Sequence, residues 1–420
     1  MRNLISSIRG NIPCSEKDIV IDAEGKNIII TGMNGCGKTL MLKALFSTVR
    51  SSLSKKDMQH EKNLLRNIRM HEQLLTNNNT GQTKEQIYQL TAQLDEQKKR
   101  LNELKSKQSL DVDWVKREDI IELALEDKIV ISFFEATRQY SQVKDQGGSL
   151  SQLKTRARSQ QISQDFSTSF ESYLVAFFEA GYIAWAMRND EEEKQRVDAW
   201  ISSIEDDLKH LFEDETLSLK YNEVEKTFYI EQEGKQPYTF NTLSSGYSSI
   251  LKVYADLLMK IEVNDLNPKD LKGVVIIDEI DAHLHVSLQR KIFSFLSEAY
   301  PNIQFIVSTH SPFVLQSVDD AVIYDLSTLE QLEDLSMYSY DSIAKGLLGV
   351  DTRSQELGEL VSELGSLINS VEHNRIRVNE IIEKLSEVEN ELDSKSRVVL
   401  LMAREAITDS EGNDIVQRHS

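Results

Sequence analysis

Cysteine is nearly absent: Cys14 and Cys36 are the only two in 420 residues, so no disulfide framework can be built and a reducing compartment is expected. No secretory leader is expected, because Arg2-Asn3-Leu4-Ile5-Ser6 lacks the apolar core such a segment needs. The longest greasy run, Tyr173 to Met187, falls short of the ~20 residues that span a bilayer and carries Glu179. It reads as a buried helix, and the expectation is a cytoplasmic protein with no membrane partner. Positive charge is in deficit, with Lys+Arg 48 against Asp+Glu 68 and a formal net charge of −20. That balance opposes loose attraction to nucleic acid or anionic lipid. The short basic cluster Lys154, Arg156 and Arg158 reads as a solvated loop, with a local DNA-binding patch as the alternative.

What the chain does have is 40% hydrophobic residues, enough for a sizeable core in one large domain with insertions or in two ordinary ones. It also has Gly32-Met33-Asn34-Gly35-Cys36-Gly37-Lys38-Thr39, which fits G-x-x-x-x-G-K-[ST]. The motif follows the strand-like run Asn27 to Thr31 and leads into a helix-like stretch from Leu40 to Val49. Glycines at 32, 35 and 37 allow the tight turn that points successive N–H groups into one concavity at a helix N-terminus. Lys38 is expected to reach the β- and γ-phosphates of a nucleoside triphosphate, and the Thr39 hydroxyl to ligate Mg²⁺. Cys36 is expected to face away as a small filler rather than to act in redox chemistry.

Composition divides the chain further. Residues 1–50 read as an N-terminal lobe, with short apolar runs at Leu4 to Ile8, Ile19 to Ile21 and Ile28 to Ile30. Residues 51–110 are charged and helical, broken at Thr76-Asn77-Asn78-Asn79-Thr80-Gly81. Leu64, Ile68, His71 and Leu75 on the first arm and Ile87, Leu90, Leu94, Gln97, Leu101 and Leu104 on the second keep a three-four spacing. The spacing predicts an antiparallel coiled-coil hairpin with arms of some 25 residues, each reaching roughly 35–40 Å. Residues 111–240 complete the lobe: a strand at Lys128 to Phe134, a flexible break at Gly147-Gly148-Ser149, helices at Phe166 to Arg188 and Asp190 to Phe212, then strands at Thr216 to Tyr221, Lys226 to Glu231 and Tyr238 to Phe240.

Residues 241–330 carry the second half of the chemistry. Leu243-Ser244-Ser245-Gly246 opens a helix running to about Ile261. Val274-Val275-Ile276-Ile277 is an apolar strand ending in Asp278-Glu279, followed by Ile280-Asp281-Ala282-His283-Leu284-His285. Ile303 to Val307 is another buried strand, with Ser308-Thr309-His310-Ser311-Pro312 at its end, and Ala321 to Leu326 is a further strand. The H-x-H of His283 and His285 is set aside as a metal site, because no Cys or third His lies near in sequence. Residues 331–420 read as mostly helical, with a second seam at Val378, Ile381, Leu385, Val388 and Leu392 suited to another helix or a partner chain.

This order of motifs resembles the nucleotide-binding domain of the ATP-binding-cassette superfamily, and the helical insertion after the first motif resembles its chromosome-maintenance and DNA-repair branch. Within that branch Asp278-Glu279-Ile280-Asp281-Ala282-His283-Leu284-His285 and the stretch from Ser308 to Gln316 resemble ATPases of bacterial antiphage defence, such as the PtuA subunit of Septu, the ATPase of PARIS and the overcoming-lysogenization-defect (OLD) proteins. Val286 departs from the proline often found there. The resemblance implies an α/β fold, a P-loop NTPase of ABC-ATPase type with a short coiled-coil hairpin insertion and a helical C-terminal region.

It also implies residue roles. Gly32, Asn34, Gly35, Cys36, Gly37, Lys38 and Thr39 would bind ATP, with Thr39 and Asp278 holding Mg²⁺. Glu279 would be the catalytic base and His310 the γ-phosphate switch, while Asp281 would head the D-loop. Ser244, Ser245 and Gly246 would reach the ATP of another copy, making the active unit at least a dimer. A Q-loop glutamine is expected at Gln139, with Arg138 as the alternative. No D-x-D cluster, paired-cysteine motif or H-N-H pattern is present after His310. The expected function is therefore an ATPase regulating a separately encoded effector, a nuclease, in antiphage defence. The alternatives are a DNA-repair ATPase that binds DNA through its hairpin and, with less support, a transporter subunit.

Overall fold

Asp18-Ile19-Val20-Ile21-Asp22 alternates buried and exposed positions, the mark of a sheet covered on one face, and it pairs antiparallel with the strand before it. These are β1 (Ile5–Asn11) and β2 (Asp18–Asp22). The computed structural model describes residues 4–53, 55–76, 84–105, 110–126, 128–141, 149–158, 164–317, 320–332, 335, 340–347, 355–368, 371–389, 392 and 396–407. Asn27-Ile28-Ile29-Ile30-Thr31 forms β3 (Asn27–Thr31), buried at every position as a central strand of a parallel sheet must be. It is followed by α1 (Lys38–Ser52), whose Met41, Leu42, Leu45 and Val49 face the core.

The predicted hairpin region contains α2 (Lys55–Thr76) and α3 (Lys84–Lys105), each of 22 residues and therefore about 33 Å long. The two helices lie against each other, with Leu64, Ile68, His71 and Leu94 buried and Lys98 paired with Glu72 at 2.8 Å. His71 is buried, its Nδ1 2.7 Å from the Asn67 carbonyl. Ile87, expected in the same seam, is 36% exposed. The predicted turn falls largely on residues 77–81, the side chain of Leu104 on a masked position, and the Gly147-Gly148 break likewise; all lie outside the described residues.

β4 (Leu110–Trp114) went unrecognised in the sequence. It pairs antiparallel with β1 and completes a three-stranded sheet in the order β2-β1-β4. Its alternation spans only five residues beside a long helical stretch, too short a signal to stand out. α4 (Arg117–Leu125) follows, then β5 (Ile129–Phe134) and α5 (Leu150–Arg158). The basic cluster thus lies on a helix anchored by buried Leu153 and not on a loop.

α6 (Phe170–Arg188) and α7 (Glu191–Phe212) pack through Tyr173, Phe177 and Trp200, and the Asp190 side chain caps α7 by accepting from Glu193 N–H at 3.1 Å. The Tyr173 to Met187 run is only partly buried: Ile183 is 56% and Met187 80% exposed, because apolar residues surround this helix on more sides than its neighbours cover. A small antiparallel sheet, β6 (Ser218–Asn222), β7 (Thr227–Glu231) and β8 (Tyr238–Thr239), packs on α6 through Tyr221 and Phe228 against Phe178.

α8 (Ser245–Val263) precedes β9 (Lys272–Ile277), α9 (Val286–Gln289), α10 (Ile292–Ala299), β10 (Ile303–Ser308), α11 (Pro312–Gln316), β11 (Ala321–Asp325) and β12 (Glu330–Leu332). The principal sheet has six strands in the order β12-β11-β3-β10-β9-β5, parallel except for β12. Buried Gln304 on β10 braces it to the N-terminal sheet, accepting from Ile5 N–H at 2.8 Å and donating to the Lys26 carbonyl at 2.6 Å. Among the described residues no helix is long and apolar enough to cross a membrane.

The chain divides into compact units over residues 1–343 and 344–420, with α12 (Tyr340–Gly346) at the division. The second unit holds α13 (Gln355–Leu367), α14 (Val371–Glu387) and a helix over 396–407. Val378, Ile381, Leu385 and Leu392 of the predicted seam are buried within this unit against Val361, Leu364, Leu400 and Ala403, whereas Val388 is exposed. Those four find their packing inside their own chain. The expected α/β fold with a helical C-terminal region is what the structure contains.

Candidate functional site

Because β3, β10, β9 and β5 run parallel as neighbours, the segments leaving their C-terminal ends share one edge of the sheet. Ligand contacts gather at such edges in α/β proteins. From β3 comes the glycine-rich loop, from β9 the acid pair, from β10 the Ser308 to His310 segment, and from β5 the Glu135 to Gln139 segment.

The loop turns into α1 at Gly37, which caps the helix in the left-handed region at φ 107°, with no side-chain cap for the first-turn N–H groups. An uncapped N-terminus with a lysine and a threonine in its first turn is a fit for the phosphates of a nucleotide. Lys38 is buried and its Nζ donates to the carbonyls of Gly32 at 2.9 Å and Met33 at 3.1 Å. Cys36 packs against the core as expected, but its sulfur lies 3.7 Å from Lys38 Nζ. Asn34 and Gly35 form the exposed crest. Two residues absent from the sequence-based expectation hold the loop from below. Lys17 Nζ donates to the carbonyls of Cys36 at 3.1 Å and Leu326 at 2.7 Å, and Ser327 Oγ accepts from Met33 N–H at 2.7 Å. Neither sits in a motif, so no local pattern marks them.

Thr39 Oγ1 donates to Asp278 Oδ2 at 2.7 Å, so the hydroxyl and carboxylate expected to hold Mg²⁺ are adjacent. Among the described residues no cluster of three or more His, Cys, Asp or Glu could hold a metal by itself. One hydroxyl and one carboxylate suit Mg²⁺, which completes its shell with water and substrate phosphates. His283 and His285 are both exposed.

Glu279 has a left-handed backbone, φ 47°, a conformation that costs a non-glycine residue roughly 1–2 kcal/mol. Its N–H donates to Ser308 Oγ at 2.8 Å, and the same hydroxyl donates to Asp278 Oδ1 at 2.5 Å. Thr309 Oγ1 in turn donates to Asp281 Oδ1 at 2.5 Å. The hydroxyl pair directly before His310 was the available sequence signal for these contacts. His310 is half-buried, and burial together with the nearby Lys38 ammonium holds its imidazole below the usual 6.5, opposed by Asp281, Glu279 and Asp278.

Gln139 and Arg138 have different surroundings. Gln139 is exposed, whereas the Arg138 guanidinium is buried against the carbonyls of Asp278, Glu279 and Ile280. At the start of α8, Ser244 and Ser245 are exposed, while Gly246 packs so tightly that a Cβ there would lie 2.6 Å from the His283 carbonyl oxygen. Of the basic cluster, Lys154 is engaged by Asp265 at 2.5 Å and lies over the Tyr173 ring.

The chain is 45% identical over 85 residues to the retron Ec83 probable ATPase of Escherichia coli, covering 20% of this chain and 16% of that protein. It is 30% identical over 166 residues to the Septu protein PtuA of Bacillus thuringiensis, covering 35% of this chain and 41% of that one. Both relatives are thus matched over less than half their length. The Smc head bound to the C-winged helix domain of ScpA aligns over 78% of this chain and 96% of that one, at 13% identity and a TM-score of 0.37. The family described as AAA domain, putative AbiEii toxin, Type IV TA system matches residues 28–316, a range that contains every site residue from Gly32 to His310, and the chain belongs to that family.

Proposed function

We propose that this chain binds and hydrolyses ATP with Mg²⁺ at the edge of the sheet formed by β3, β10, β9 and β5. The observation that carries the proposal is the convergence of Lys38, Thr39, Asp278, Glu279 and the Ser308 to His310 segment, brought together from three strands. In this scheme the loop N–H groups from Asn34 to Thr39 and the Lys38 ammonium bind the phosphates, while Thr39 and Asp278 hold the metal. Mg²⁺, when bound, would supply positive charge against the phosphate oxygens. Glu279 orients the attacking water and takes its proton, a role that needs a carboxylate within hydrogen-bond reach. Neutral His310 offers a ring N–H to the terminal phosphate.

The exposed hydroxyls of Ser244 and Ser245, at the N-terminus of α8, support a dimer or higher oligomer in which this segment of one copy closes over ATP held by another. Hydrolysis would remove the bridging charge and loosen that contact. The effector such a cycle regulates is proposed to be a separately encoded protein, a nuclease, in antiphage defence. Similarity to a Septu PtuA and a retron ATPase supports this. The formal charge of −20 and the engagement of Lys154 give the alternative of direct DNA binding less support.

The test is a pair of variants. Lys38→Ala is expected to lose ATP binding, and Glu279→Gln to bind ATP, accumulate a tight oligomer by light scattering and barely hydrolyse. Full turnover by Glu279→Gln would overturn the assignment of the base. Co-purification with the product of a neighbouring gene tests the effector; a partner-free protein with its own nuclease activity would refute it.

A further inference from the structure

We propose that Arg138 is a positioning residue for the hydrolysis proposed above, its guanidinium clamping the main chain of Glu279 and so fixing the backbone from which the carboxylate projects. The inference rests on that reading of the site.

Arg138 lies just past the C-terminal end of β5 and is 4% exposed. Its Nη1 donates to the carbonyls of Glu135 at 3.0 Å and Asp278 at 2.8 Å, and its Nη2 to those of Glu279 and Ile280, each at 3.2 Å. Three consecutive carbonyls can converge on one group only where the chain curls, and the left-handed backbone of Glu279 is that curl. On the other side, Ser308 Oγ takes the Glu279 N–H. Both peptide groups flanking Glu279 are therefore held by side chains, one from the β5 segment and one from the end of β10. Relaxing Glu279 to an ordinary φ would swing its carbonyl off Arg138.

A planar guanidinium carries five donors in a fixed fork and can serve several carbonyls at once; an ammonium is a point donor on a flexible stem. Burial draws the Arg138 pKa down to about 10, with Asp281, Asp278 and Glu279 opposing, so the group stays cationic at neutral pH. The clamp also connects to α1. Glu135, whose carbonyl Arg138 engages, pairs through its carboxylate with Lys43 of α1 at 2.8 Å, one turn beyond Thr39.

The experiment compares wild type, Arg138→Met and Arg138→Lys in the full chain. Amide hydrogen exchange across residues 278–281 is expected to quicken about tenfold or more in Arg138→Met, with β3 unchanged. ATP affinity should stay within about threefold while kcat falls about 10- to 100-fold, the pattern of a group acting only on the reacting geometry. Arg138→Lys, which keeps the charge but not the fork, should behave more like Met than like wild type, and it serves as the test should Arg138→Met fail to fold. Adding Arg138→Met to Glu279→Gln should lower residual turnover by no more than about twofold, because Arg138 acts through Glu279. Unchanged exchange at 278–281, additive losses in the double variant, or ATP affinity falling as far as kcat would each overturn the proposal. A wild type without turnover would instead refute the ATPase reading, and the exchange comparison would still decide whether Arg138 holds the loop.

Discussion

Ser308 Oγ donates to Asp278 Oδ1 at 2.5 Å, joining the ends of β10 and β9 through one hydroxyl that also receives the Glu279 N–H at 2.8 Å. The residue two places before His310 thus orients Asp278 and Glu279, the metal ligand and base proposed above, together. Ser308→Ala should lower kcat for ATP hydrolysis about 10- to 100-fold while changing ATP affinity less than about threefold. Steady-state kinetics beside equilibrium nucleotide binding would check this, and equal losses in both would count against it.

Lys260 and Asp256 make a buried pair on α8, 2.6 Å apart with side chains 3% and 1% exposed, and Lys260 Nζ also donates to Ser132 Oγ of β5 at 2.6 Å. Lys260→Met strands a buried carboxylate, for which about 3–5 kcal/mol of destabilisation is expected. Combining it with Asp256→Leu should cost less than the sum of the two single changes, because the second removes the stranded charge. Urea unfolding midpoints would report this, and simple additivity would contradict it.

His310 is held below its unfolded value near 6.5 by burial and by Lys38. In the window from 6.5 down to the lowered folded value, the unfolded chain binds the extra proton and the folded chain does not, so acidification through that window costs stability. Above 6.5 both states are neutral and the contribution is constant. His310→Gln should therefore show a shallower loss of stability between pH 7.5 and 5.5 than wild type, measured by chemical denaturation at each pH. Parallel curves would speak against a lowered His310.

Gly246 stands where a Cβ would lie 2.6 Å from the backbone oxygen of His283, itself in the left-handed region at φ 65°. Backbone cannot step aside as a flexible side chain can. Gly246→Ala should destabilise the chain by about 1–3 kcal/mol through overpacking, visible as a lowered melting temperature without nucleotide. Wild-type stability in the variant would mean that α8 and the His283 segment separate freely.

Much of the site was legible in the residues because its chemistry is contiguous. A glycine-rich turn before a lysine and threonine, an apolar run ending in Asp278-Glu279, and a second run ending in Ser308-Thr309-His310 each carry their meaning over a few neighbouring positions. The buried strands were legible for the same reason, since Ile28 to Ile30 and Val274 to Ile277 are unbroken apolar stretches and Ile303 to Val307 is one interrupted only by Gln304, the pattern of strands covered on both faces. β4 was not legible, because five alternating residues give too little period to detect, and its strand character depends on pairing with β1.

The sequence by itself determined which residue types this chain brings to a phosphate-binding site and which strands are buried. Only the tertiary structure decided the order β3-β10-β9-β5, which carries the glycine-rich loop, the acid pair and the Ser308 to His310 segment to one edge, and that buried Arg138 rather than exposed Gln139 grips the acid loop. The physical reason is separation: Arg138 and Asp278 are 140 residues apart, and a contact made by folding over that distance leaves no periodicity or spacing in the chain that forms it.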